Sequence, residues 1–391
     1  MKTWSFLIFF TIVLLIYFLI NYYIFKRGMQ ALSEAGIYRT MFFYFFLFLA
    51  FSYPFGRILE QFFRNSVSEY LVIIGAFYLA VMIYAFLFIV VVDIFRLGNH
   101  FLHFFPAFIT RNYLKSAEIT SYLISAIVIL IVFAGHINTL YPRVHTCNIT
   151  IKKSANNIQK LSMVVVSDIH LGTIIQDNHL HRIVNKVNQI KPDIVLMPGD
   201  IVDEDMAPII EQNMTETLKK IKSKYGVFAV TGNHEYFSGV NEAVSYMEKA
   251  GIQVLQDEYV KISNAFYIIG RKDRMAERIG NGRKPLKEIV AGIDPSFPLI
   301  LMDHQPLRLE EAIENGIDLQ LSGHTHHGQL FPVNLITQAV YELSWGHLKK
   351  ENTNYYISCG VGTWGPPVRT TSVPEIAHIK LEFTGNDKYS D

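Results

Sequence analysis

Three histidines in four positions stand in LSGHTHHGQL, residues 321–330, and four further groups of metal-binding side chains precede them. In chain order the groups are Asp168 with His170, Asp200, Asn233 with His234, His304, and His324 with His326. Imidazole and carboxylate ligands without thiolates suit divalent transition metals, and argue against a structural zinc or iron–sulfur site. A carboxylate can bridge two such ions about 3.5–4 Å apart, an arrangement that activates water and clamps a phosphoryl group during in-line displacement. In an extended segment the D-x-H and H-x-H spacings turn both side chains to one side.

The segments before these groups explain how they could meet. From Leu161 the chain alternates apolar strands with helix-like segments: LSMVVVSDIH, then HLHRIVNKVNQI with apolar residues at helical spacing, then DIVLMPGD, GVFAVTGNHE, FYIIGRKD, FPLILMDHQP and IDLQLSGHTH. This is an α/β pattern, and five of the strands end in Asp, Asn or His. Ligand-binding loops gather at strand carboxyl ends in such folds, so residues distant in sequence converge there.

VVSDIHLG, PGDIVD, GNHEYFSG, the His304 segment and GHTHHGQ resemble the motifs of the calcineurin-like metallophosphoesterase superfamily, over about residues 145–382. YISCGVGTWGPPVRTTSVPEI resembles the end of its bacterial membrane-associated branch, which includes transmembrane proteins with a metallophosphoesterase domain. The resemblance implies a four-layer αββα sandwich with its site along one edge. It also implies two divalent ions, manganese first, with iron or zinc compatible with the same ligands. Asp168, His170 and His326 would take one ion, Asn233, His304 and His324 the other, and Asp200 would bridge. His234 would face the substrate as general acid. Asp203 is either the acid that orients His234 or a helix N-cap. Protein phosphatases of the superfamily have an arginine straight after the equivalent of Asp203; the residue here is Glu204, which favours diesters or pyrophosphates. Arg369 either reaches substrate or makes a structural ion pair. His327 departs from the family pattern and reads as an exposed or supporting histidine, and His179, His181 and His347 as surface residues.

Composition divides the chain. Half of its 391 residues are hydrophobic, and the excess lies before residue 141. Residues 4–25, 70–92 and 119–140 are each long enough to cross a hydrocarbon core, which needs about 20 apolar residues. Residues 41–55, ending at Pro54, read as a shorter fourth span. The expected organisation is an all-helical transmembrane domain over 1–141, a polar connector over 142–160, and the α/β domain over 161–391. Lys2, Arg57, Arg64 and Arg143 fall on the side shared with the α/β domain, and Lys26, Arg27, Arg39, Arg96, Arg111 and Lys115 opposite. These loop charges tilt towards an extracytoplasmic α/β domain, although Lys152 and Lys153 would equalise the sides. Asp93, near Arg96, and His136, in a last helical turn, read as interfacial rather than as parts of a transport path.

A net charge of +1 offers no basic face for nucleic acid, and Cys147 and Cys359 cannot form a disulfide framework. The expected protein is therefore a multi-pass, membrane-anchored phosphohydrolase with a phosphorylated small-molecule or lipid substrate and the bilayer as its partners. UDP-2,3-diacylglucosamine, cleaved in lipid A synthesis by relatives of this branch, is a specific candidate. The alternative is a receptor or scaffold that binds a phosphorylated ligand without turnover. FLHFFPAFI at 101–109 could lie in the membrane interface, and the basic run 271–287 reads as a solvated loop or a headgroup contact.

Overall fold

The computed structural model describes residues 2–32, 36–280 and 282–385. It divides into two compact units, Met1–Gly135 and His136–Asp391.

The first unit is helical, with α1 (Lys2–Ala31), α2 (Gly36–Phe62), α3 (Ser66–Leu102), the short α4 (Ala107–Arg111) and most of α5 (Tyr113–Thr139). Four of these helices are long and apolar enough to cross a membrane. The fourth expected span does not stop at Pro54, because α2 runs through it to Phe62. A proline deprives the carbonyl four residues earlier of its donor, and the Tyr17 hydroxyl donates to that carbonyl, Ala50 O, at 2.6 Å. Gly75 keeps α3 close to α2, since a β-carbon there would lie 2.3 Å from the Tyr53 nitrogen. Asp93 is enclosed by Arg27, Arg96 and the Tyr23 hydroxyl.

The second unit begins within the last turn of α5 and contains twelve strands among the described residues. They are β1 (Arg143–Ile151), β2 (Lys160–Val165), β3 (Ile194–Pro198), β4 (Val227–Val230), β5 (Gln253–Val254), β6 (Glu258–Ile262), β7 (Phe266–Gly270), β8 (Leu299–Met302), β9 (Leu319–Ser322), β10 (Gly346–Lys350), β11 (Thr353–Ile357) and β12 (Glu375–Phe383). Two six-stranded sheets run in the orders β1-β12-β2-β3-β4-β5 and β10-β11-β9-β8-β7-β6. The expected connector thus contains a strand: β1 pairs in parallel with β12 at the sheet edge.

Alternation along the strands builds the layers. Leu161, Met163 and Val165 of β2 meet Phe266, Ile268, Ile300 and Leu321 in a core between the sheets. Val164, Val195 and Ala229 face outward and bury Leu180, Ile183, Val184 and Val187 of the amphipathic helix α6 (Asp177–Ile190). Tyr267, Ile269, Leu299 and Leu301 likewise cover Leu286, Ile289 and Leu309 on the far side. Helix, sheet, sheet and helix make the four-layer sandwich. The parallel strands β2, β3 and β4 of one sheet and β8 and β9 of the other carry the five polar loops at their carboxyl ends.

Candidate metal centre

The five loops bring the predicted ligands together in two groups. Asp168, His170 and His326 offer ligand atoms within 4.8 Å of one another, and so do Asp200, His304 and His324. Asp200 Oδ2 lies between the groups, 3.1 Å from His304 Nε2 and 3.9 Å from His170 Nε2. His170 Nε2 and His326 Nε2 are 3.0 Å apart, and His326 Nε2 is 3.6 Å from Asp168 Oδ1. Asn233 follows β4, and its Oδ1 is buried without a hydrogen-bond partner.

Extended backbone is not what aims these side chains. Asp168, His170, Asp200, His324 and His326 all have φ between 47° and 72°. Left-handed backbone is costly for residues with a β-carbon, and it persists where surrounding structure over-determines it, commonly at functional sites. The turns pack tightly: a β-carbon on Gly232 would lie 2.2 Å from Asp200 Oδ1, so the β4 loop can pass the carboxylate only as glycine.

Glu235 escapes a ligand-based reading although it adjoins His234. Its buried carboxylate accepts from the backbone N–H groups of Asp200, Ile201, Val202 and Gly232 at 2.6–3.1 Å, locking the β3 and β4 loops to each other. A carboxylate just after N-H in a strand-end motif was the available signal.

The donor set fits divalent cations. Asp168 Oδ2 and Asn233 Oδ1 are buried and accept no hydrogen bond, an arrangement that is costly unless a cation or water completes it. Burial brings His324 down to about 3, with His304 adding to the effect. Burial, then His170 and Arg369, hold His326 well below the usual imidazole range. Both shifts favour the neutral ring, the form that ligates metals. Burial opposes ionisation of Asp200, but His304 and His234 outweigh it and keep the carboxyl well below its ordinary value.

His234 and Asp203 stand beside the ligand groups, with His234 Nδ1 3.0 Å from Asp203 Oδ1. Burial would lower His234, yet Asp200 and Asp203 raise it to about 9. The His234 N–H donates to Asp200 Oδ1 at 2.9 Å, tying the imidazole's backbone to the central carboxylate. Phe237 and Trp364 flank the ring with centroids 5.4 and 6.0 Å away. Asp203 is not the N-cap of the next helix: that helix spans Ala207–Glu211, and its cap is Met206.

Arg369 sits differently from a substrate-holding residue. Its buried guanidinium donates from Nε and Nη2 to Gly362 O at 3.0 and 2.6 Å and from Nη1 to Ser372 Oγ at 2.7 Å. Nη2 lies 3.0 Å from His326 Nδ1. The side chain thus supports the candidate ligand His326 from behind, and the expected substrate contact gives way to this role. His327 leans on Ser344 and Trp345, outside both groups. His179, in the first turn of α6, is buried, contrary to its surface reading, because its apolar neighbours draw that face of the helix onto the sheet. The basic run is not wholly solvated either, as buried Arg271 and Arg283 both pair with Asp303.

The profile of the Calcineurin-like phosphoesterase family matches residues 161–328. The chain is 33% identical over 263 residues to an uncharacterized metallophosphoesterase of Aquifex aeolicus, covering 66% of this chain and 99% of that protein. A Helicobacter pylori metallophosphoesterase is 33% identical, with 57% of this chain and 60% of that protein covered. A transmembrane protein with metallophosphoesterase domain from Danio rerio is 31% identical, with 62% and 57% covered. The chain belongs to the calcineurin-like phosphoesterase family, whose members are metal-dependent phosphoesterases. It spans less than two thirds of the Helicobacter and Danio relatives' length.

Proposed function

We infer that this protein is a membrane-anchored phosphohydrolase that cleaves a phosphodiester or pyrophosphate bond in a lipid-linked substrate. The observation carrying the reading is the position of Asp200 Oδ2 between two imidazole-containing groups, with the His234–Asp203 pair alongside. Asp168, His170 and His326 would hold one divalent ion, Asn233, His304 and His324 the other, and Asp200 both; manganese is the first choice. Bound there, the ions supply charge to the phosphoryl oxygens and activate water.

The residues of the chain do the rest. Asp203 Oδ1, 3.0 Å from Nδ1 of His234, orients the ring and leaves Nε2 to carry a proton outward. As the water oxygen bonds to phosphorus and the bond to the leaving oxygen breaks, that proton passes to the leaving group. Trp364 and Phe237 keep bulk water from the imidazole. Glu204, exposed beside Asp203, disfavours a dianionic monoester and suits a diester or pyrophosphate. UDP-2,3-diacylglucosamine fits this description and is the specific candidate; it requires a cytoplasmic site, against the tilt of the loop charges.

Hydrolysis of an aryl phosphodiester and its matching monoester by manganese-loaded protein tests the reading. Diester turnover that requires metal and is lost in Asp200→Asn supports it. Metal-loaded protein that captures phosphorylated ligands and turns over neither substrate would favour the receptor instead.

A further inference from the structure

The helix Val333–Val340 follows the GHTHHG loop and has no buried residue. Its Leu335, Ile336 and Val340 side chains are each more than half exposed, as is Trp364, and Phe331 just before the helix is half exposed. A solvated helix would carry polar groups on such a face; contiguous exposed apolar side chains mark an interaction surface.

Hydrogen bonds within the second unit join this surface to the site and to the last turn of α5. The Phe331 N–H donates to Thr370 Oγ1 at 2.9 Å, and Gln329 Nε2 donates to Trp364 O and Pro366 O at 3.0 and 2.8 Å. Residues 364–372 therefore form a strap bonded to the segment that leads into the helix. At the strap's other end, Asn138 Nδ2 donates to Arg369 O and Ser372 O at 3.1 and 2.9 Å, and His136 Nδ1 lies 2.8 Å from Pro367 O. His136 and Asn138 close α5, a helix long and apolar enough to span a membrane. The end of a span lies at the headgroup level, so a strap bonded to it lies at that level too.

We propose that the face made by Phe331, Leu335, Ile336, Val340 and Trp364 docks into the headgroup–acyl boundary of the bilayer. The mouth of the site, where Trp364 flanks His234, then opens at the membrane surface. A phosphate reaches the ligand groups from the lipid plane while its acyl chains stay in the bilayer. This rests on the lipid-linked substrate proposed above and assigns the surface that receives it.

The test uses full-length protein in nanodiscs of equal parts phosphatidylcholine and phosphatidylglycerol. Protein carrying Cys147→Ser and Ile336→Cys is labelled with a fluorophore at the introduced thiol, the remaining Cys359 being buried. Brominated lipid is expected to quench the label at least about twofold, as for a side chain some 5–10 Å into the interface. The paired substitution Leu335→Asp with Ile336→Asp is expected to cut hydrolysis of a vesicle-embedded, lipid-linked aryl phosphodiester by about tenfold and to spare the soluble aryl phosphodiester. An unquenched label on protein that still turns over the soluble diester overturns the docking, as does crosslinking of the introduced thiol to a second copy. Quenching with turnover of the soluble diester alone supports the docking and removes the lipid-linked substrate from the functional reading.

Discussion

Asp93 and Asp168 are both enclosed carboxylates, but their surroundings have opposite designs. Asp93 meets Arg27, Arg96 and the Tyr23 hydroxyl, so its charge is answered by its own helices. Asp168 is fully buried, sits on left-handed backbone and leaves Oδ2 without a partner. A carboxylate whose needs are met within the chain is structural. One whose needs are left open, at a conformational cost, awaits something from outside.

The largest test of that contrast is Asp200→Asn, which removes the charge between the ligand groups. It is expected to lower kcat/KM for the aryl phosphodiester by about a thousandfold or more, with metal content by mass spectrometry falling in parallel. Retained metal and rate would erase the distinction between the two carboxylates.

His234→Ala is expected to cost about 10²–10⁴ in rate with metal content unchanged, because its proton matters and its ring is not a ligand. An aryl leaving group of low pKa should recover much of that loss; a uniform loss across leaving groups would remove His234 from the proton transfer.

Next comes Arg369→Lys, expected to weaken metal affinity by about 10–100-fold, measured by competition with a chelator, with little change in KM at saturating metal. A raised KM at full occupancy would return Arg369 to the substrate. Glu235→Gln, which puts an amide against the N–H groups that the carboxylate accepts from, is expected to lower thermal stability in detergent by about 2–3 kcal/mol. The smallest effect belongs to Asp93→Asn. Metal content and soluble-diester turnover should stay within about twofold of wild type, since Asp93 shares no partner with the ligand groups.

The sequence made the clustered polar residues legible because chemistry repeats at strand ends: Asp168, Asp200, Asn233, His304 and His324 each follow an apolar run of the right length. It made four long apolar helices legible by hydropathy, since α1, α2 and α3 cover their expected stretches and α5 covers all of its own but Leu140. What it hid depends on partners far along the chain. Pro54 ends a helix by local rules and fails to do so because Tyr17 supplies the missing donor. Arg369 carries a substrate-like charge, and only Gly362, Ser372 and His326 turn it inward. Glu235 stood beside His234 in a strand-end motif, but its partners are four backbone amides, which have no side chain for a sequence to show.

The pairing of β1 with β12 has a consequence for how the protein is made. β12 lies between β1 and β2, so the strand that emerges first in the second unit has no neighbour until the last one arrives. Throughout synthesis the sheet keeps an unfilled slot beside the strand that leads to Asp168. Contacts of such long sequence separation form late, and open strand edges invite unwanted association meanwhile. A ribosome paused before residue 375 would therefore hold every candidate metal ligand already made beside a sheet that cannot yet close.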